Sequence, residues 1–225
     1  MTTLLADLGP IAQLRAGRLP RRLTQLLVGL FLYGASLAVM VRGGLGLAPW
    51  DVLHSGLIRF LPLDLGQMVI ATSFVVLLLW IPLREKPGIG TIANALLIGT
   101  SADLVMAGVP TQHHFVVRVI FTLAGIVLCA LATAMYIGAQ FGRGPRDGLM
   151  TGLVRRTGAS IRLVRTGLEI AVVVLGLLLG GGLGFGTIGF ALLIGPLTQR
   201  MLPFWVVTLP ERPVAPVLAE APAAA

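Results

Sequence analysis

The chain has 225 residues, 56% of them hydrophobic and only 12% charged, with a mean hydropathy of +0.93. That balance excludes an ordinary soluble domain and marks an integral membrane protein. The formal charge of +8 lies between long apolar runs, so its expected partners are lipid headgroups and the membrane potential, not nucleic acid.

Taken in chain order, residues 1–21 form a cytoplasmic N-terminal segment. Leu4, Leu5, Leu8 and Ile11 could line a short interfacial helix, and a disordered tail is the alternative. Arg15, Arg18, Arg21 and Arg22 then precede an apolar run without the small-residue pattern of a cleavage site, so the first helix is expected to be retained. A spanning helix needs about 20 apolar residues. Six stretches qualify: 23–41, 67–83, 91–108, 116–138, 163–182 and 187–205. They divide into a first three-helix repeat over 22–108 and a second over 109–205, followed by a Pro/Ala-rich cytoplasmic tail over 206–225 that is expected to be disordered. With the N-terminus inside, only Arg42, Arg59 and Arg118 of the 17 basic residues face outward, which satisfies the positive-inside rule.

The two halves are copies of each other. Gly46, Pro49, Asp51, Leu53, Gly56 and Leu57 recur 96 residues later at Gly142, Pro145, Asp147, Leu149, Gly152 and Leu153. The same displacement, without a gap, carries Gly88, Gly90, Thr91 and Gly99 onto Gly184, Gly186, Thr187 and Gly195. Three spans per copy force the second copy to enter the membrane from the opposite side. The expected fold is therefore an all-α polytopic membrane protein, with six transmembrane helices as two inverted three-helix repeats, each with a short interrupted or re-entrant helix. Inverted repeats of this kind recur in secondary transporters, with binding sites near the midplane.

The short helices start at Pro49-Trp50-Asp51 and Pro145-Arg146-Asp147. Proline suits a first turn, where its missing N–H would have had no partner, and an early carboxylate faces the positive end of the dipole. About 11 residues follow, to Leu61 or Thr157, too few to span. Asp51 and Asp147 read either as paired carboxylates that bind a cation or proton, or as groups that orient their helices while Trp50 and Arg146 anchor at the headgroups. The turns at Gly88–Thr91 and Gly184–Thr187 predict tight packing, with threonine as the cap of the next helix. Asn94, Asp103, Gln140, Glu169 and Gln199 are the other costly side chains near the spans. Asp103 and Gln199 are equivalent across the repeats, and Glu169 has Arg165 one turn before it, the spacing of a local ion pair.

Cys129 stands alone, so neither an intrachain disulfide nor a cysteine metal cluster is expected, and His113-His114 lacks the convergent ligands a metal needs. No cofactor motif and no catalytic signature is present, so neither a cofactor nor an enzyme is expected.

At these motifs the chain resembles the bacterial YczE/YyaS/YitT family of small integral membrane proteins. The residues that carry the likeness are Gly-Leu-Gly-Leu-Ala-Pro-Trp-Asp-Val-Leu-His at 44–54, Lys-Pro-Gly-Ile-Gly-Thr-Ile-Ala-Asn-Ala at 86–95 and Gly-Arg-Gly-Pro-Arg-Asp-Gly-Leu-Met at 142–150. The likeness extends through Arg162 to Thr166 and Gly184 to Pro196, covering 22–203. It implies a polytopic protein of the bacterial cytoplasmic membrane, with both termini cytoplasmic.

Two functions fit. The first is a transporter-like protein moving a small solute or ion by alternating access, with Pro49, Trp50, Asp51, Asn94, Asp103, Pro145, Arg146, Asp147 and Gln199 as candidate substrate-binding residues. The second is a non-transporting scaffold that binds a partner through Arg155, Arg156, Arg162 and Arg165. No residue in the sequence sets the oligomeric state.

Overall fold

In a computed structural model, which describes residues 9–210, the chain is helical and no strand occurs among the described residues. The helices are α1 (Pro10–Arg15), α2 (Leu19–Gly43), α3 (Pro49–Leu57), α4 (Leu65–Leu83), α5 (Ile89–Gly108), α6 (Phe115–Gly138), α7 (Pro145–Thr157), α8 (Ile161–Leu178) and α9 (Phe185–Trp205). Leu4, Leu5 and Leu8 lie outside the described residues, as does the tail beyond 210. The part of the expected tail that is described is packed: Val207 is buried and donates its N–H to the Gly138 carbonyl at 3.0 Å.

Four of the helices, α2, α4, α5 and α6, are long and apolar enough to cross a membrane. The other two long helices are interrupted by polar groups or proline. Arg162, Arg165 and Glu169 interrupt α8, while α9 carries Gln199, Arg200 and two internal prolines. The outward faces remain apolar throughout, with Phe74, Leu78, Leu104, Ile120, Val174 and Leu192 all exposed. A surface of this kind suits hydrocarbon, not water.

The centre is α2 packed along α6, with α5 against α2 and α9 against α6. Without a hydrophobic drive between helices in lipid, close approach depends on small side chains. Gly29, Gly34, Ala35, Ser36 and Ala38 line the buried face of α2, and Gly125, Ala130, Ala132 and Ala134 that of α6.

Contacts between the halves come in pairs separated by the sequence displacement. Arg22 Nε donates to the Ala139 carbonyl and Arg118 Nε to that of Gly43, each at 2.9 Å. The Gly90 N–H reaches the Phe141 carbonyl and the Gly186 N–H that of Leu45, each at 2.8 Å. The short helices exchange neighbours too: α3 packs on α8 and α7 packs on α4. At the crossings, Gly176 lies under Val52, and Gly148 lies under the Trp80 indole, which leaves no room for a side chain at either glycine. The neighbour is the Val52 main chain at one glycine and the Trp80 side chain at the other.

The expected helix starts need one correction. The helices after the glycine turns begin at Ile89 and Phe185, so Thr91 and Thr187 stand at the third helical position and not at the cap. From there each hydroxyl accepts the N–H of its cap glycine, Gly88 at 3.0 Å and Gly184 at 3.4 Å. The same oxygens reach the other half: Thr91 donates to the Arg143 carbonyl, and Thr187 accepts the Leu47 N–H. In α3 the helix ends at Leu57, four residues before the expected Leu61, because Ile58 to Leu63 continue as turns.

One pair of contacts is broken. In the first half α4 crosses α5 so closely that Gly66 and Gly99 stand backbone against backbone, and Asp103 accepts the Gly66 N–H at 2.8 Å. In the second half α8 and α9 stand apart: Arg162 stands where the displacement puts Gly66, and Gly195, the counterpart of Gly99, faces open space.

Candidate functional site

The two short helices aim their first turns at each other. Proline at the first position starts each one, preceded by an extended residue, Ala48 or Gly144. No side chain caps either start. Each carboxylate meets a side chain instead, within its own helix for Asp51 and on another helix for Asp147.

Asp51 is buried, with Oδ1 2.9 Å from Nδ1 of His54 one turn along α3. The fully buried His54 ring places Nε2 2.8 Å from the Thr72 hydroxyl on α4. Arg146 comes from the other half, its guanidinium 3.9 Å from Asp51 Oδ1 and 4.9 Å from the centre of the Trp50 ring. A cation over an indole is attracted by the ring quadrupole, most strongly where water is scarce. Trp50 and Arg146 are equivalent residues of the two motifs, so one position supplies both partners.

Asp147 accepts a hydrogen bond from the Tyr136 hydroxyl on α6. Asn94 Nδ2, Asp147 Oδ2 and the Tyr136 hydroxyl lie 3.1, 3.3 and 3.4 Å from where a side chain on Gly144 would begin. Trp80 fixes the start of α7 by donating Nε1–H to the Pro145 carbonyl at 2.9 Å.

Beside this cluster is a cavity of about 480 Å³ that runs from Trp50, Arg146 and Asp147 to α8 and α9. Its volume falls within the range of small-molecule sites, roughly 300–1,000 Å³. Tyr33, Tyr136, Phe190 and Ile194 form much of its apolar wall, Arg143 lines it from the segment before α7, and Arg165, Glu169 and Gln199 line it from α8 and α9. Arg165 and Glu169 make the local ion pair expected from their spacing, at 3.0 Å.

Of the sequence candidates, Pro49, Trp50, Asp51, Asn94, Pro145, Arg146 and Asp147 come together here, and Gln199 lines the cavity. Asp103 does not join them, because it holds the start of α4. His54, Thr72, Tyr33 and Tyr136 were not singled out by sequence. The Asp51–His54 spacing was a readable helical pair. The tyrosines look like ordinary filling in apolar runs.

Apolar faces, buried polar groups at helix interruptions and several spanning helices define a multi-pass integral membrane protein. The chain belongs to the DUF6198 family, a family of unknown function, whose model matches residues 20–203. It is 38% identical over 188 residues to an uncharacterized protein of Haemophilus influenzae, covering 84% of this chain and 86% of that one. It is 32% identical over 184 residues to the uncharacterized membrane protein YczE of Bacillus subtilis, with 81% and 86% covered. The uncharacterized protein YyaS of the same organism matches at 26% over 180 residues, with 78% and 90% covered. No solved structure matches the chain.

Proposed function

We propose that the protein is a transporter of the bacterial cytoplasmic membrane that moves a small solute or ion by alternating access. Its six spans are α2, α4, α5, α6, α8 and α9, arranged as two inverted three-helix repeats with both termini cytoplasmic; α3 and α7 are re-entrant. Support for α8 and α9 as spans comes from their equivalence to α4 and α5 and from their exposed apolar residues, among them Ile170, Leu178, Ile188 and Leu192. Exchanged contacts, in which a residue of one half and its counterpart 96 positions on swap partners, are the pattern a two-fold axis produces.

The observation that carries the function is the broken pair. With α4 closed on α5 by Gly66, Gly99 and Asp103, and α8 apart from α9, the cavity faces the inner side in this reading. A two-fold arrangement with one gate shut and its counterpart open is one end state of a rocking cycle. The scaffold reading gains no such support. Arg155 pairs with Glu85 at 3.1 Å and donates to the Leu83 carbonyl, Arg156 donates to that of Pro82, and Arg165 holds Glu169. Arg155 and Arg156 close the C-terminal end of α4, where cations complement the helix dipole.

The test is a single cysteine at Ile194, which lines the cavity, in a Cys129→Ser background. Impermeant maleimide is expected to label it from the inner side at once and from the outer side more slowly, as the gates exchange. Labelling from one side alone under every gradient would sink the proposal.

A further inference from the structure

The chemistry the cavity leaves unclaimed is that of hydrogen-bond donors. Its carboxylates are satisfied: Asp147 by Tyr136, Glu169 by Arg165, and Asp51 behind the wall by His54. Arg146 is different. Its guanidinium lies over Trp50 and stands 3.9 Å from Asp51, beyond hydrogen-bond length, and it donates no hydrogen bond among the described residues. Arg143, on the same wall, gives one N–H to the Thr151 hydroxyl at 2.8 Å and is otherwise exposed. The Thr198 hydroxyl is buried with no partner among the described residues, and Thr198 also lines the cavity. A guanidinium without a hydrogen-bonded partner keeps a planar fork of donors that can take a carboxylate through two parallel bonds.

The remainder of the wall limits the size and charge of the ligand. Trp50, Phe190 and Ile194 offer flat apolar surface for a body of modest size. Asp147 and Glu169 are close enough to disfavour a second negative charge. We infer that the cavity binds a small organic monoanion, a carboxylate on an apolar or aromatic body, with the carboxylate on Arg146 and Arg143 and the body against Trp50, Phe190 and Ile194. This rests on the transporter reading and names its substrate class.

The test uses the full chain in lipid nanodiscs, with binding followed by calorimetry and ligand-dependent thermal shift. Three probes share one ring: benzoate, phenyl phosphate and benzylamine. Benzoate is expected to bind, and the other two to bind at least about tenfold more weakly. Arg146→Gln is expected to abolish benzoate binding, and Arg146→Lys, which keeps the charge without the fork, to weaken it by about tenfold. Arg156→Gln, outside the cavity, is expected to leave it unchanged. Should Arg146→Gln fail to fold, Arg146→Lys and the three-probe comparison decide. Equal or tighter binding of benzylamine or phenyl phosphate, or benzoate binding that survives both Arg146 variants, overturns the inference. If no probe binds while the Ile194 cysteine labels from both sides, the anion class fails and the transporter reading stands. One-sided labelling removes that reading, and the inference with it.

Discussion

Two equivalent arginines, Arg22 and Arg118, show how this fold uses charge. Arg22 is fully buried, with Nε on the Ala139 carbonyl, Nη2 on that of Gln140 at 2.8 Å, and the Phe141 ring beneath it at 4.2 Å. Its counterpart Arg118 does the same for Gly43 and Gly44 at the other end of the α2/α6 pair, but nearer the surface. Each closes the end of the facing helix, whose last carbonyls have no partner within the helix. Deleting one partner strands buried acceptors and costs more than the net value of the bonds. Arg22→Ala is therefore expected to lower stability by on the order of 2 kcal/mol, and Arg118→Ala by less, as read from thermal unfolding in detergent. Equal losses would contradict the difference in burial. By charge rules alone Arg22 was one more inner-loop cation. Its burial follows from the carbonyls of the distant Ala139 and Gln140, which no local pattern reveals.

At the scale of elements, the crossings of the short helices are fitted surfaces. Gly148 leaves room for the Trp80 indole where α7 meets α4; at the equivalent crossing of α3 and α8, Val52 meets Gly176. Val52 corresponds to Gly148 and Gly176 to Trp80 under the 96-residue displacement. Gly148→Val is expected to destabilise the protein by roughly 1–3 kcal/mol through overpacking. Trp80→Gly is expected to destabilise it through the cavity it leaves. The valine refills part of the space the indole leaves, so the double variant should lose clearly less than the sum, a coupling that a double-mutant cycle reads directly. Strict additivity would mean that the two positions do not share that space.

Much at this scale was legible. The Pro-x-Asp starts, the glycine turns and the apolar runs located the helices to within a few residues, because proline, glycine and hydropathy act locally. That α3 would pack on α8, and α7 on α4, was not legible. The exchange depends on where the chain returns in three dimensions, and periodicity carries no such information.

At the scale of the molecule, what matters is where symmetry fails. Equivalent positions meet as Arg146 and Trp50, so the two copies no longer present the same chemistry at their shared boundary. Asp103 seals α5 against α4, while its counterpart Gln199 is exposed beside the opening between α9 and α8. The sequence offered Asp103 and Gln199 as one site. One holds two helices together and the other lines the cavity, and only the structure separates these roles, since both are simply polar positions late in a helix.

The central claim is that these gates open in turn. Electron–electron resonance distances between spin labels across each gate test it most directly. One pair is placed at Leu63 and Leu104, the other at the equivalent Ala159 and Arg200, both in a Cys129→Ser background. The account predicts a short distance across the first pair and a longer one across the second. Under turnover or ligand, a second population should appear in which the order is reversed. A single unchanging distance across both pairs in every condition would contradict it.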